Sequence, residues 1–459
     1  MLYRNPRNQH SQDPAHGDTY HSHPTFPSLC SLAQCRVLDA IPLVQLVSQC
    51  DKVWRGSRVK ILGLFIHLSG DLKFRLEIDA SMVYSHNPPR VVDLASLNSV
   101  LFEKDFCRRV EYFRIRAPPY LLYELPESWY EWMNEGSLTV LEEMQIGHRY
   151  LHPPAVGVVD GPERLNQRRV SFVGVPKLRC LLLDNFPYRC TAPSLTTLRL
   201  YGVAIETCVD LLFECAGIID FECRRPNVSD NGIDYPLQAT KAVVKKQLRL
   251  FEWDFDFANA EWYNDFYTCI RMPRLQRMRL TNIDADPSPF PPSLLTFLES
   301  VSSTLKRLTL VTFRVTDSQD VNDIFACVPR IEHLVVEERG NATYSCYREI
   351  LQALEPSPTL SEASSPPSGP KREYLPSLRT LTLKHTVRDK WGILENLQYN
   401  LVDMMEARTS AGDCSKLCIT LNGFASDFEW SGYHGRKFEE LETKNLLELC
   451  VNPGSERRR

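Results

Sequence analysis

Hydrophobic and polar residues alternate along this chain in short bursts that share one layout. In VPKLRCLLLDN (Val175 to Asn185), APSLTTLRLYG (Ala192 to Gly202), MPRLQRMRLTN (Met272 to Asn282), VPRIEHLVVEE (Val328 to Glu338) and LPSLRTLTLKH (Leu375 to His385), a proline stands two residues before an L-x-x-L-x-L core. One residue separates the last two apolar positions, the period-2 pattern of a half-buried strand. The same core without the proline recurs at Val110, Phe113, Ile115; Leu141, Met144, Ile146; Ile218, Phe221, Cys223; Leu248, Phe251, Trp253; and Leu305, Leu308, Leu310. Between these phrases the period changes to that of a helix. Ile205, Val209, Leu212 and Ala216 share one face ahead of Gly217, a natural helix stop; Val321, Ile324, Phe325 and Val328 precede Pro329; Trp262, Phe266 and Ile270 precede Pro273; Tyr347, Ile350, Leu351 and Leu354 make another stripe. Upstream, Ile61, Leu64, Phe65 and Leu68 predict a helix ended by Gly70, and Leu72, Phe74, Leu76 and Ile78 predict a strand.

The predicted unit is therefore helix, short turn, strand, and L-x-x-L-x-L is the strand signature of a leucine-rich repeat. No such unit can bury its apolar face alone, so neighbours must stack on one continuous core. Anchor-to-anchor spacing runs from 17 residues (Leu178 to Leu195) to 47 (Ile331 to Leu378), against about 20–29 in a regular array. The expected fold is α/β, an irregular leucine-rich-repeat-like solenoid of strand-turn-helix units. Regular repeats place Asn or Cys three residues after the last leucine; here Phe186, Val203, Ile283, Phe313, Arg339 and Thr386 stand there, which predicts turns held by apolar packing.

Composition narrows the class. A chain of 459 residues with 43% hydrophobic and 24% charged residues reads as globular, and its net charge of -4 argues against a general nucleic-acid or membrane-surface role. No apolar run reaches the roughly 18–20 residues of a membrane span, and the polar start has no secretory h-region. The 15 cysteines are odd in number and contain no C-x-x-C, and Cys215, Cys223 and Cys327 fall at apolar positions. They read as reduced core residues of a cytoplasmic or nuclear protein, which leaves the sequons at Asn227 and Asn341 without meaning.

Residues 1–30 carry His10, His16, His21 and His23 among Pro, Asn and Ser and read as a disordered arm, not a ligand set. The stretch 355–370 (EPSPTLSEASSPPSGP) reads as a Pro/Ser-rich surface loop whose Ser357-Pro358 and Ser365-Pro366 pairs suit proline-directed kinases. The solenoid is expected over 59–423, with a C-terminal cap and basic tail over 424–459.

The run LGLFIHLSGDLKFRLEID, followed by degenerate L-x-x-L-x-L units, resembles the F-box and leucine-rich-repeat-like proteins abundant in mushroom-forming fungi. The resemblance covers roughly residues 52–423. Cys50, Trp54 and Arg55 match the C-x-x-x-W-R tail of an F-box, while the Leu-Pro opening of that box is absent. Residues 31–58 are accordingly assigned as a degenerate F-box remnant, or the chain starts downstream of a missing piece. Aliphatics in Ala33 to Val47 could form a fragment of the helical module, which Pro42 would break. The resemblance implies docking to a Skp-type adaptor of a cullin ubiquitin ligase, with the repeats choosing a protein target. The alternative is a stand-alone leucine-rich-repeat scaffold.

Strand alternation turns a second set of residues away from the core. Tyr112, Arg114 and Arg116 come first, then Glu143 and Gln145, then Thr197, Arg199 and Tyr201. An acidic block (Asp220, Glu222, Glu252, Asp254) is followed by a basic one (Arg277, Arg279, Arg307), then His333 and Glu337, and Thr380, Thr382 and Lys384. Adjacent blocks of opposite sign could orient a charged partner; equally, they could pair with one another across neighbouring strands. Tyr112, Tyr201 and the nearby arginines are the better partner anchors, since Tyr and Arg are enriched at binding hot spots. In FEWDFDFANAEWYNDFY, Glu252, Asp254 and Asp256 alternate with Phe251, Trp253, Phe255 and Phe257. Such acids could hold a divalent cation, but an amphipathic strand followed by a helix with Trp262 and Phe266 in the core explains them with less. There is no G-x-S-x-G, H-E-x-x-H, G-x-x-x-x-G-K-[ST] or G-x-G-x-x-G. The expectation is a binding protein, not an enzyme, with no cofactor or metal.

Overall fold

A computed structural model of the chain describes residues 33–38, 41–47, 67, 70–79, 107–116, 138–147, 169–186, 189–227, 237, 242–255, 260–282, 291–312, 318–338, 346–355, 375–385, 391–410, 416–424 and 432–453. The first strands are β1 (Ala33–Leu38), β2 (Ile41–Val47), β3 (Phe74–Asp79), β4 (Val110–Arg116), β5 (Glu143–Gly147), β6 (Arg169–Ser171), β7 (Cys180–Asp184), β8 (Arg189–Thr191) and β9 (Thr197–Tyr201). Helices then enter: α1 (Ile205–Glu214), β10 (Asp220–Arg224), β11 (Val243–Val244), β12 (Leu250–Phe255), α2 (Ala260–Cys269), β13 (Ile270–Arg271), β14 (Arg277–Asn282), α3 (Pro292–Val301) and β15 (Arg307–Val311). The chain continues through α4 (Ser318–Cys327), β16 (His333–Glu338), α5 (Tyr347–Ala353), β17 (Thr380–His385), α6 (Trp391–Ser410), β18 (Leu417–Phe424), α7 (Gly432–Thr443) and β19 (Leu447–Pro453).

This is a mixed α/β structure around one 15-stranded sheet, in the order β1-β2-β3-β4-β5-β7-β9-β10-β12-β14-β15-β16-β17-β18-β19. Among the described strands β1 and β2 pair antiparallel, and from β2 onward each neighbouring pair along the sheet is parallel. β6 with β8 and β11 with β13 form two small parallel ribbons. All ten apolar phrases are strands of the main sheet.

Their grammar has a direct structural cause. In Val175-Pro176-Lys177-Leu178 the Leu178 N–H donates to the Val175 carbonyl at 3.1 Å, and the same bond closes Ala192 to Leu195 at 3.4 Å, Met272 to Leu275 at 3.1 Å, Val328 to Ile331 at 3.2 Å and Leu375 to Leu378 at 3.1 Å. Each is a four-residue turn with proline at its second position, where the locked φ fits and no N–H is needed. Leu141 and Leu248 close the same turn without proline, on Leu138 and Lys245. The first leucine of a phrase thus ends a turn, and the next two enter the strand.

Register then stacks the phrases. Leu198, Phe221, Phe251, Met278, Leu308, Leu334 and Leu381 form one continuous row, and Leu200, Cys223, Trp253, Leu280, Leu310, Val336 and Leu383 the next. None of them is more than 1% exposed. The helices cover this side: Ile205, Val209, Leu212, Phe266, Phe297, Ile324, Phe325, Ile350 and Leu351 join the same core as the strand rows. At its centre Trp253 stacks on Phe221 (5.6 Å between ring centroids) and Trp262 (6.5 Å) and tilts on Phe266 (5.1 Å). This bears out the amphipathic-strand reading of Phe251 to Phe266; Asp256 and Phe257 lie outside the described residues.

Some expectations change. α1 ends at Glu214, before Ala216 and Gly217. Its final carbonyls are instead met by the buried Lys245, whose Nζ donates to Phe213 O at 2.8 Å and Cys215 O at 3.1 Å, a cation at the negative end of a helix. Leu72 precedes β3 and is exposed, while Phe74, Leu76 and Ile78 are buried as expected. Gly70 has the left-handed φ (+55°) of a chain stop. Ala33 to Val47 is not a helical fragment. It forms β1 and β2, since β-branched and aliphatic residues suit a strand and Pro42 removes a helix interior. The stretch 424–459, expected as a cap and tail, contributes α7 and the last parallel strand, β19. The N-terminal arm, the F-box tail motif at Cys50 to Arg55, and 356–370 fall outside the described residues. Among the described residues no helix is long and apolar enough to cross a membrane.

Candidate functional site

The face of the main sheet opposite the helices carries the outward rows, and every predicted binding residue stands on it. Tyr112 and Arg114 lie on β4, Arg199 and Tyr201 on β9, Glu222 on β10, Glu252 and Asp254 on β12, Arg277 and Arg279 on β14, and Arg307 on β15. Because the sheet is in register, side chains from distant phrases meet. Thr197, Asp220, Leu250, Arg277, Arg307, His333 and Thr380 form one outward row, and Arg199, Glu222, Glu252, Arg279, Thr309, Val335 and Thr382 the next. A third runs through Asp254, Thr281, Val311, Glu337 and Lys384, and Tyr201 stands opposite Arg224.

β4 stands apart, with β5 and β7 between it and β9. Arg114 Nη1 is 3.8 Å from Glu77 Oε1 on β3, and Tyr112 lies beneath Arg75, whose guanidinium carbon is 4.3 Å from the ring centroid. Tyr112 is only 6% exposed, and burial pushes its phenol up, with Glu77 and Glu143 adding to the effect against Arg114 and Arg75. It offers little surface to a partner in this structure.

From β9 to β14 the charges pair across strands. Tyr201 Oη donates to Glu222 Oε1 at 2.6 Å, Arg224 Nε sits 2.6 Å from the same oxygen, and Arg199 Nε is 3.7 Å from Glu222 Oε2. Arg224 Nη2 donates to Glu252 Oε2 at 3.0 Å, and Arg279 lies between Glu252 (3.7 Å) and Glu337 (3.9 Å). Partial burial alone would lower the Arg224 guanidinium, but Glu222 and Glu252 outweigh it and hold it above its ordinary value. Asp254 is buried and accepts a hydrogen bond from the Arg225 N–H at 2.9 Å, where the chain takes a left-handed φ of 48°. It secures a turn and presents little surface. The same role falls to Glu338, which accepts from the Cys346 N–H at 2.9 Å. Carboxylates thus do at these turns part of what a polar ladder does in regular repeats, alongside the buried Phe186 and Val203.

Beyond the network the surface dips. A hollow of about 200 Å³ is bounded by Arg277, Arg279, Arg307 and Lys384, with Glu252 and Glu337 on its walls. It exists because Thr309 and Val335, adjacent in the middle row, are short while their neighbours are long. Arg277 and Arg307 are directly opposite each other. Arg277 reaches Asp220 at 3.7 Å, whereas neither Arg307 nor Lys384 has a side-chain partner among the described residues.

The sequence reading did not single out Arg224, although it continues the alternation of Asp220 and Glu222. Thr309 and Val335 gave no sequence signal, since their effect depends on which long side chains flank them in register.

A separate set at the far end concerns metals, for which no ligand spacing stood out in the sequence. Cys418 on β18 and Glu448 and Cys450 on β19 bring ligand atoms within 4.8 Å of one another. Two sulfurs and a carboxylate are donors for a soft cation. Here Lys416 Nζ, 2.8 Å from Glu448 Oε2, already neutralises the carboxylate. Burial and then Glu448 push the Cys418 thiol up, which keeps it protonated. Cys215, Cys223 and Cys327, read from sequence as reduced core residues, are buried thiols outside any disulfide.

No protein-family model matches this chain, and no curated protein matches it either, so the functional reading stands on the outward face alone.

Proposed function

We propose that this chain is a protein-binding scaffold of the irregular leucine-rich-repeat type, in which stacked strand-turn-helix units hold a wide outward face for a protein partner. The observation that carries the reading is the outward face itself: two rows of side chains in register from β9 to β17, and a third from β12, fixed by a continuous core beneath. A rigid sheet that presents Arg, Tyr and short polar residues in rows lowers the ordering cost of binding a large surface. Its groups are spread over several strands, a layout that suits recognition of an extended or flat partner.

The resemblance to F-box proteins adds a narrower reading, a substrate-recognition subunit docked to a Skp-type adaptor. The strands over Ala33 to Val47, where an F-box would be helical, weigh toward the stand-alone scaffold. Coexpression with a Skp-type adaptor separates the two: stoichiometric capture lost on removing residues 1–58 supports the ligase subunit, and no capture supports the scaffold.

The binding face is tested by selecting partners with three proteins. One is the parent. In the second, Thr197→Trp, Thr309→Trp and Thr382→Trp fill the outward face. In the third, Tyr399→Ala and Tyr433→Ala alter exposed residues of α6 and α7. Partners kept by the third protein and lost by the second identify the face. Partners kept by the second and lost by the third would place binding on the helices and overturn the proposal.

A further inference from the structure

We infer that the hollow between β14 and β17 is an anion site that takes a carboxylate- or phosphate-bearing side chain from an extended acidic segment of a partner protein. The inference rests on the reading of this face as protein-binding and names what the partner brings.

Charge bookkeeping within the face is the first argument. Arg279 is held between two carboxylates, Glu252 and Glu337, and Glu252 is shared with Arg224. The acids on the walls are therefore already engaged. Arg307 and Lys384 are left without side-chain partners among the described residues, in a chain whose net charge is -4. Like charges directly opposite on neighbouring strands destabilise a sheet, yet Arg277 and Arg307 are so placed. An anion between them would remove that repulsion.

Shape is the second. The floor is made by Thr309 and by Val335, which is 3% exposed although it faces outward. Arg277, Arg279, Arg307 and Lys384 rise around it. About 200 Å³ accommodates one acidic side chain or phosphate group and not a folded element. Guanidinium groups match the planar oxygens of carboxylate and phosphate, and lysine adds a mobile point charge. The register rows continue on both sides, through the paired Glu222 and Glu252 and through the short Thr380 and Thr382, which gives a partner segment a line across the strands.

The test is fluorescence anisotropy of the full chain with three labelled decapeptides of one backbone: Glu-rich, phosphoserine-containing, and Gln-substituted. The expected result is binding of at least one anionic peptide about tenfold or more tighter than the Gln peptide, weakening as salt rises. Arg307→Glu combined with Lys384→Glu should weaken that binding by about tenfold or more, since each removed cation forfeits a charge-assisted hydrogen bond. If the reversed pair impairs folding, Arg307→Gln with Lys384→Gln carries the same comparison. Unchanged affinity in a folded variant, or equal binding of the Gln peptide, overturns the inference. Tight binding of inorganic phosphate, equal to that of the phosphopeptide, assigns the hollow to a free anion and overturns the peptide assignment. Acidic peptides ignored by a parent whose selected partners still depend on the outward face would sink this inference alone. Acidic peptides bound at the hollow, with selected partners indifferent to the face, would sink the scaffold reading alone.

Discussion

On β9, β10 and β12 the outward charges neutralise one another, whereas on β14, β15 and β17 they do so only in part. In the first region Glu222 receives Tyr201, Arg224 and Arg199, and Arg224 passes on to Glu252. In the second, Arg307 and Lys384 stand around a hollow with no side-chain partner among the described residues. Both regions share one sheet, one register and one core, so the difference comes from which letters occupy equivalent positions. Paired charges stiffen the sheet that bears them; unmatched ones add little to stability and remain available to a partner.

That contrast can be broken most severely from beneath. Trp253 stacks in the aromatic layer under Glu252 and Asp254, and Trp253→Ala is expected to cost about 3–5 kcal/mol, read from urea denaturation. A loss below about 1 kcal/mol would show that the layer does not hold the paired region together. Glu222→Ala comes next, at about 1–3 kcal/mol, because it strands the half-buried Arg224 and the Tyr201 hydroxyl. In a double-mutant cycle with Arg224→Ala the two losses should not add.

Alkaline pH tests the core beneath the sheet, where several thiols are buried. Burial pushes Cys180 up to about 11 and Cys215 up to about 12, in each case from an ordinary 9.0. Cys190 and Cys223 rise as well, again chiefly through burial. A thiol raised in the folded state keeps its proton where the unfolded chain has lost it. Its stabilisation is whole below pH 9 and is lost as pH climbs through the folded values. Lys245, lowered by burial, works the other way: its penalty fades as pH rises toward 10.5. One lysine set against several thiols leaves a net fall in Tm between about pH 9 and 11. Replacing Cys215 and Cys223 with alanine should flatten that slope more than replacing Cys327, and a slope indifferent to all three would remove the thiols as its cause. The smallest effect belongs to the hollow, where Arg307→Ala should change stability by no more than about 0.5 kcal/mol. A larger loss would mean that Arg307 supports the sheet after all.

The strands were legible because two signals coincide in each phrase: the turn-forming proline, as in Pro176 and Pro376, and the alternation that follows it. α1, α2, α4 and α5 were legible from apolar stripes. α3 escaped, although Pro292 stands in its first turn, where proline favours a helix start. The ribbons β6/β8 and β11/β13 are only two or three residues long and are set by pairing over distance, so no local period announces them. In Ala33 to Val47 the aliphatics left a helical fragment and a strand both open, with Pro42 against the helix, and the stretch forms strands. At the site, alternation correctly sent Glu222, Arg279 and Arg307 outward. It could not say that Glu222 meets Arg199 and Tyr201 while Arg307 stands between Arg277 and His333, because a meeting of side chains is a property of register between phrases.

Register also separates two kinds of change that a chain like this can undergo. The path from β16 to β17 is the longest between successive phrases, yet Val335 still sits opposite Thr382 and Glu337 opposite Lys384. Connector length therefore leaves the grid of outward positions unmoved. An insertion there alters what the molecule carries beside the sheet, while a single substitution in a strand alters one cell of what it recognises. Recognition and decoration can be edited independently, by descent or by design.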